Sequence, residues 1–356
     1  MSAGGRLSGR QVLGGVLSVA LVVGVFAWFL PQFTSLADVW TSVRDMTWLE
    51  LTVLALAAAW NLATYQFVMV STTPGLKLRQ ALVSTQTTTA VSNTVVGGAA
   101  IALGLTYAMN SSWGFSRSRT SVALLVSGLW NNFAKLGLPV LALALLALSA
   151  PPTAGRLTAG LLGLAVLVVA VVLLGALLRS REGAERIGTG AARVATALRR
   201  PFGRGPVHGW ERATTKFRDR TARLLRARWH WITLATLVSH LSLFLVLLLA
   251  LRFVGVDGDQ VSVVEALAVF AFARLLTAVP FTPGGLGVIE LALITGLSAA
   301  GGPRALVTAA VLVFRALTYV LPIPVGLGCY VYWRRNRSWR REPGTAPRTA
   351  LVPESV

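Results

Sequence analysis

The sequence is poor in the residues from which soluble enzymes usually build their chemistry. It has one cysteine, Cys329, three histidines and 13 acidic residues in a chain of 356. A single cysteine excludes a disulfide framework and a thiolate metal cluster. His208, His230 and His240 are scattered, with no paired carboxylate or metal-ligand spacing around them. No phosphate-cradling or dinucleotide-binding glycine motif is present, because the Gly-Gly pairs lie in apolar runs without a preceding strand. The expectation is a chain that is not an enzyme and that needs no cofactor and no metal.

Charge is also scarce, at 13% of residues, whereas 54% are hydrophobic and the mean hydropathy is +0.67. Such a composition suits lipid rather than water as the main solvent. Eight apolar segments follow one another, near 11–30, 48–70, 80–109, 120–149, 157–178, 230–254, 262–299 and 303–333. A crossing helix needs roughly 20 apolar residues, so the expected class is an all-α integral membrane protein. Leu13 to Phe29 follows basic residues as a signal peptide would, but Leu30-Pro31-Gln32 offers no small-residue cleavage site, and this segment reads as a retained first span.

The net charge of +20 raises the question of nucleic acid, and its distribution answers it. Between Arg179 and Arg228 stand fourteen Lys or Arg against four acids, six further Arg follow Trp333, and Arg6 and Arg10 flank the first apolar run. Basic blocks just outside apolar segments mark the cytoplasmic side and meet anionic headgroups. The expected partner is therefore the membrane surface, through the basic loop and tail, and not nucleic acid. Ile187, Val194 and Leu198 give part of that loop an amphipathic face; it lies on the inner leaflet or is a solvated basic loop.

Two apolar segments are interrupted. The third breaks around Ser92-Asn93 and Gly97-Gly98, the seventh around Pro280 to Gly285, because Pro removes a backbone donor and Gly loosens the helix. The resulting halves are too short to cross a core of about 30 Å, so each pair is a re-entrant hairpin or two short crossings that return to their starting side. With the N-terminus, loop and tail in the cytoplasm, the first broken pair starts inside and the second outside. The chain then divides into a first membrane repeat over 1–149, the start of a second over 150–178, a basic cytoplasmic loop over 179–229, the rest of the second repeat over 230–333 and a basic tail over 334–356. Two inverted repeats with matching broken helices are a transporter arrangement that places a site at the midplane.

A charge at the centre of a bilayer costs at least about 2.5–3.5 kcal/mol, so each one needs a reason. Lys135, Glu265, Arg274, Glu290 and Arg315 fall in or near membrane depth. Arg274, Glu290 and Arg315 can converge on the second break, with Pro283, Gly284, Gly285 and Gly287 allowing close approach to a half-helix N-terminus that favours anions. The other reading is that these cations only pair with Glu290 and Glu265 to hold helices together. In the first half, Asn93, Gly97, Gly98, Asn131, Asn132 and Lys135, with Asn61, Tyr65 and Gln66, form a more neutral set, and two of Asn131, Asn132 and Lys135 can share one helix face. His240 reads as a packed or hydrogen-bonded residue.

The run Arg274-Leu-Leu-Thr-Ala-Val-Pro-Phe-Thr-Pro-Gly-Gly-Leu-Gly-Val-Ile-Glu290, with Gly296 and Arg315 after it, resembles the signature of the lysylphosphatidylglycerol synthase transmembrane region family. The resemblance implies a flippase-like membrane domain, similar to the flippase half of multiple peptide resistance factor proteins, that translocates an anionic phospholipid or lipid-linked precursor in the plasma membrane. The aminoacyl-transferase domain of two-part members has no counterpart after Trp333, so synthase activity is expected to be absent. The first hairpin lacks the Pro and charged residues of such relatives, which points to a different lipid. The rival expectation is a non-transporting scaffold that docks a glycosyltransferase or lipid synthetase, and a homo-oligomer fits either reading.

The charge bias makes a topological prediction. With Cys329 replaced, an Arg200→Cys reporter should react with an impermeant thiol reagent only from the cytoplasmic side, and labelling from outside would overturn the inverted arrangement.

Overall fold

The computed structural model describes residues 41, 44–95, 98–149, 154–179, 210–277, 285–336 and 339. The expected first span, the amphipathic stretch with Ile187, Val194 and Leu198, and the tail beyond 339 lie outside the described residues. Those described are helical throughout, and none is in a strand. In chain order the helices are α1 (Trp48–Thr72), α2 (Leu78–Thr94), α3 (Gly98–Ser112), α4 (Arg117–Ser149), α5 (Ala154–Arg179), α6 (Trp210–Phe253), α7 (Val263–Leu276), α8 (Val288–Ala299) and α9 (Arg304–Arg315). A π-helical turn, Ala316–Val320, joins α9 to α10 (Pro322–Arg335).

Among the described residues, four stretches are long and apolar enough to cross a membrane: Trp48–Thr72, Arg117–Leu148, Thr215–Phe253 and Arg304–Arg335. Their outward faces are apolar. On α6, Leu234, Leu237, Leu241 and Leu245 are all exposed at helical spacing, and α5 exposes Leu161, Leu162, Val166 and Val171. Helices satisfy every backbone group internally, so a bundle clad in exposed Leu and Val is stable in hydrocarbon and not in water. The protein is a multi-pass membrane protein.

Both broken segments are helical pairs that fold back on themselves. At 1.5 Å per residue α2 and α3 are about 25 and 22 Å long, α7 and α8 about 21 and 18 Å, each short of a 30 Å core. The chain ends of the first pair meet in one apolar cluster containing Leu76, Ala81, Met109 and Trp113. In the second pair, a Cβ on Gly301 would stand 2.6 Å from the Gln260 carbonyl oxygen and one on Gly302 3.1 Å from Val261. Each pair therefore starts and finishes at the same end of the molecule. The first break differs in position from the expected one, since Ser92 and Asn93 remain helical and α2 ends only after Thr94.

Local sequence explains the ends. Thr47 with Glu50 and Ser262 with Glu265 form capping boxes at the starts of α1 and α7. Glu265 is thus a helix cap, and not a partner for a membrane-depth arginine. α6 begins at Trp210, so residues 210–229, expected as loop, are its first part. This segment is rich in Arg, Ala and Leu, which favour helix, and Leu225 with Phe217 and Leu224 packs on Val122 and Val126 of α4.

A large apolar core joins α1, α4, α6, α7, α8 and α9. α2 packs mainly on α10, α4 on both α5 and α7, and α1 on α6. The approach of α10 to α2 depends on Gly326, where a Cβ would lie 2.5 Å from Ala90 Cβ and closer still to the Gln86 backbone. Gly326→Leu should therefore destabilise the fold by about 1–3 kcal/mol through overpacking. Gly104→Ala, with nothing within 4 Å of the added carbon, should leave the midpoint unchanged or slightly raised. Thermal unfolding in detergent checks both.

Candidate functional site

The second break and the last span meet around one buried ion pair. Arg315 Nε donates to Glu290 Oε1 at 2.6 Å, and both side chains are buried, at 7% and 2% exposure. The guanidinium also lies over the ring of Tyr319, 4.5 Å from its centroid. Tyr319 sits in the π turn, and its hydroxyl donates to the Asn93 carbonyl while Asn93 Nδ2 donates to the Tyr319 carbonyl at 3.1 Å. Glu290, Arg315, Tyr319 and Asn93 thus form a continuous polar thread from α8 through α9 to α2. The π turn arises where Pro322 and Pro324 lack the N–H groups that a regular helix would return to Thr318 and Val320.

Arg274, at the inner end of α7, stands apart from this pair. It is half-buried, its Nε is enclosed without a hydrogen-bond partner, and no acid pairs with it among the described residues. It lines two adjoining cavities. One, of about 70 Å³, lies between Arg274, Arg315, Phe270, Ile289 and Thr318. The other, of about 190 Å³, is bounded by Asn61, Tyr65, Gln86, Asn131, His240 and again Arg274 and Thr318. Leu243, Arg274 and Thr318 line both, so the two adjoin as one partly polar space between the two halves of the chain.

The walls of this space carry several unused polar groups. His240 Nδ1 bonds the Thr236 carbonyl at 3.0 Å and its Nε2 is buried and unpartnered. Gln86 Oε1 is likewise unpartnered, and the Tyr65 and Asn131 side chains make no hydrogen bond among the described residues. Lys135, 7% exposed and one turn beyond Asn131 on α4, has no acidic partner there either, and it lies within electrostatic reach of both Arg274 and His240. Asn61 is committed, donating to Ser242 Oγ at 2.9 Å.

The expected site residues therefore separate. Arg274 and Asn131 line the polar space, Arg315 borders it and Lys135 lies behind it within electrostatic reach of Arg274, whereas Glu290 occupies Arg315 and Asn93 is committed to Tyr319. Asn132 is exposed on the outer face of α4. Gly98 is buried against Val91 and Ser92 of α2. Gly285 and Gly287 adopt φ of 72° and 80°, which suits glycine, and Gly287 caps α8. Gly97, Pro283 and Gly284 lie outside the described residues. Sequence reasoning missed His240 as a wall residue; its signal was the polar stripe of Thr236, Ser239, His240 and Ser242 along an otherwise apolar α6.

A third cavity is apolar. Trp130, Phe133, Gly137, Leu141, Leu167, Val171 and Leu237 surround about 460 Å³ between α4, α5 and α6.

Broken helical pairs around a cationic interior within an apolar bundle define the class, an all-α multi-pass membrane protein with charges buried at depth. The chain belongs to the family described as the lysylphosphatidylglycerol synthase TM region, whose sequence pattern matches residues 15–326. That membership makes it a membrane protein of lipid modification or transport. No curated protein matches the chain at a significant level.

The two arginines should respond differently to neutralisation. Glu290→Ala leaves Arg315 buried with no counter-charge and should cost about 3–5 kcal/mol. Arg274→Gln removes a cation that has no acidic partner, and should leave the unfolding midpoint unchanged or raise it. Equal losses in the two variants by thermal unfolding would show that Arg274 is structural as well.

Proposed function

We propose that the protein is a flippase-like transporter that moves lipids with anionic headgroups between leaflets of the plasma membrane, holding the headgroup in the space lined by Arg274, Asn131 and His240. The observation that carries this reading is the uncompensated charge. Arg315 is balanced by Glu290, but Arg274 and Lys135 have no acidic partner among the described residues. Unpaired cations at membrane depth persist when function needs them, and Arg presents a planar fork suited to phosphate oxygens. The separate apolar cavity between α4, α5 and α6 offers room for alkyl tails.

The packing pattern supports an inverted repeat. The first broken pair leans through α2 on the last span, the second leans through α7 on α4, and α1 lies on α6. A two-fold axis in the membrane plane exchanges each of these contacts with its counterpart. Under the positive-inside rule, the end bearing Arg79, Arg117, Arg119, Arg334 and Arg335 faces the cytoplasm. Alternating access then means rocking of one half against the other around a fixed headgroup site.

In proteoliposomes carrying a labelled anionic phospholipid, Arg274→Gln and Lys135→Gln should each slow translocation by about tenfold or more, the loss of roughly 1.4 kcal/mol of site interaction. Asn132→Ala, on the lipid-facing side of the same helix, should flip lipid at the parent rate. Normal flipping by folded Arg274→Gln and Lys135→Gln proteins would place the headgroup path elsewhere.

A further inference from the structure

We infer that the headgroup this site is built for is a doubly charged terminal phosphate, a phosphomonoester borne on a lipid, and not a phosphodiester or a lipid whose phosphate is offset by an aminoacyl cation. The inference rests on the proposed headgroup site and adds the class of its ligand. Charge counting carries it. Of three cations at the interior, Arg315 is spent on Glu290 at 2.6 Å, which leaves Arg274 and Lys135 as two positive charges with no acid beside them among the described residues. Lys135 is more than nine-tenths buried and Arg274 Nε is enclosed, so water cannot screen them as it would at a surface.

A phosphodiester such as phosphatidylglycerol brings one negative charge and leaves one cation uncompensated. An aminoacylated phosphatidylglycerol adds an ammonium group and makes the balance worse. A phosphomonoester carries close to two negative charges at neutral pH and three terminal oxygens. Those oxygens match the donors that the walls leave free: the Arg274 fork, the Asn131 amide and the Tyr65 hydroxyl, with the Lys135 ammonium one helical turn beyond Asn131 and within electrostatic reach of Arg274. The larger of the two cavities, about 190 Å³, admits a phosphate group. Inorganic phosphate shares this chemistry, so the source of the phosphate has to be separated by experiment.

The test is binding to the purified full-length protein in neutral detergent, read by native mass spectrometry and thermal shift. The probes are phosphatidic acid, phosphatidylglycerol and lysyl-phosphatidylglycerol of identical acyl chains, and sodium phosphate. Phosphatidic acid should bind at least about tenfold more tightly than phosphatidylglycerol, since one further charge is neutralised in a poorly screened site. Lysyl-phosphatidylglycerol should bind most weakly of the three. Lys135→Gln should bring the phosphatidic acid and phosphatidylglycerol affinities together, and Lys135→Arg should restore the gap; size-exclusion profiles certify folding of both variants.

Equal affinity for phosphatidic acid and phosphatidylglycerol in the parent overturns the inference while leaving an anionic-lipid site in place. Failure of every lipid to bind overturns both. Stabilisation by sodium phosphate equal to that by phosphatidic acid at the same concentration would reassign the site to free phosphate and overturn its lipid-borne form.

Discussion

The Glu290–Arg315 pair is the constraint around which the interior is arranged. Separating either charge from the other inside an apolar core is so costly that α8 and α9 must approach with this one register. The pair does not end there. Because Arg315 also lies over Tyr319, and Tyr319 exchanges two hydrogen bonds with Asn93, the second broken pair, the last span and the first broken pair are tied through four residues. A buried ion pair adds little net stability over apolar packing, and its use here is to specify which helices meet. By absorbing Arg315, Glu290 also determines which cations remain for a ligand.

Helix α2 poses the opposite problem, because it is polar and yet packed within the molecule. Its sequence includes Thr85, Thr87, Thr88 and Thr94 with Gln86 and Asn93. Most of its hydroxyls are satisfied at home: Thr85, Thr88 and Thr94 donate to the carbonyls of Ala81, Ser84 and Ala90, one turn back. Thr85 also meets Gln66 of α1, and Gln66 Nε2 donates to Leu62. Such back-bonding lets a polar helix sit where a free hydroxyl would be penalised. It also leaves Gln86 to turn toward the cavity. Gly326 then brings α10 against the same helix, so one face of α2 serves packing while another serves the polar space.

The legible part of this structure is the part governed by local composition. Apolar length gave the spans at 48–72, 117–149 and 304–335 within a few residues, and Pro and Gly marked both breaks, because crossing a membrane and breaking a helix are properties of a short stretch of chain. The first helix of the pair runs on through Thr94 instead of breaking at Ser92-Asn93, and Asn93 bonds Tyr319, a partner 226 residues away in sequence. The extension of α6 down to Trp210 was hidden by its charge; only the packing of Phe217, Leu224 and Leu225 on α4 reveals its apolar side. The π turn had a visible cause in Pro322 and Pro324, but where the register slips depends on Tyr319 being anchored across the molecule. For the site, the sequence singled out a set of charges in or near membrane depth. It could not divide them, because pairing is decided by tertiary neighbours: Arg315 went to Glu290, Glu265 to a helix cap, and Arg274 and Lys135 to neither.

That division is what makes the interior chemically active rather than inert. Arg274 and Lys135 come from α7 and α4, which pack on each other, so drawing the helices together also drives two like charges into a poorly screened space. Apolar contacts of Phe270, Ala273 and Leu138 hold the helices in place against that repulsion. In a two-state rocking mechanism this repulsion acts in both states unless an anion is present, and an anion shared by both cations turns it into an attraction across the α4–α7 contact. Under the proposed function, a bound anion supplies the missing member of a charge cluster whose other members are fixed by the fold. On that proposal the site gains affinity from the electrostatic imbalance of its empty form, and headgroup charge governs its choice among lipids more strongly than headgroup shape.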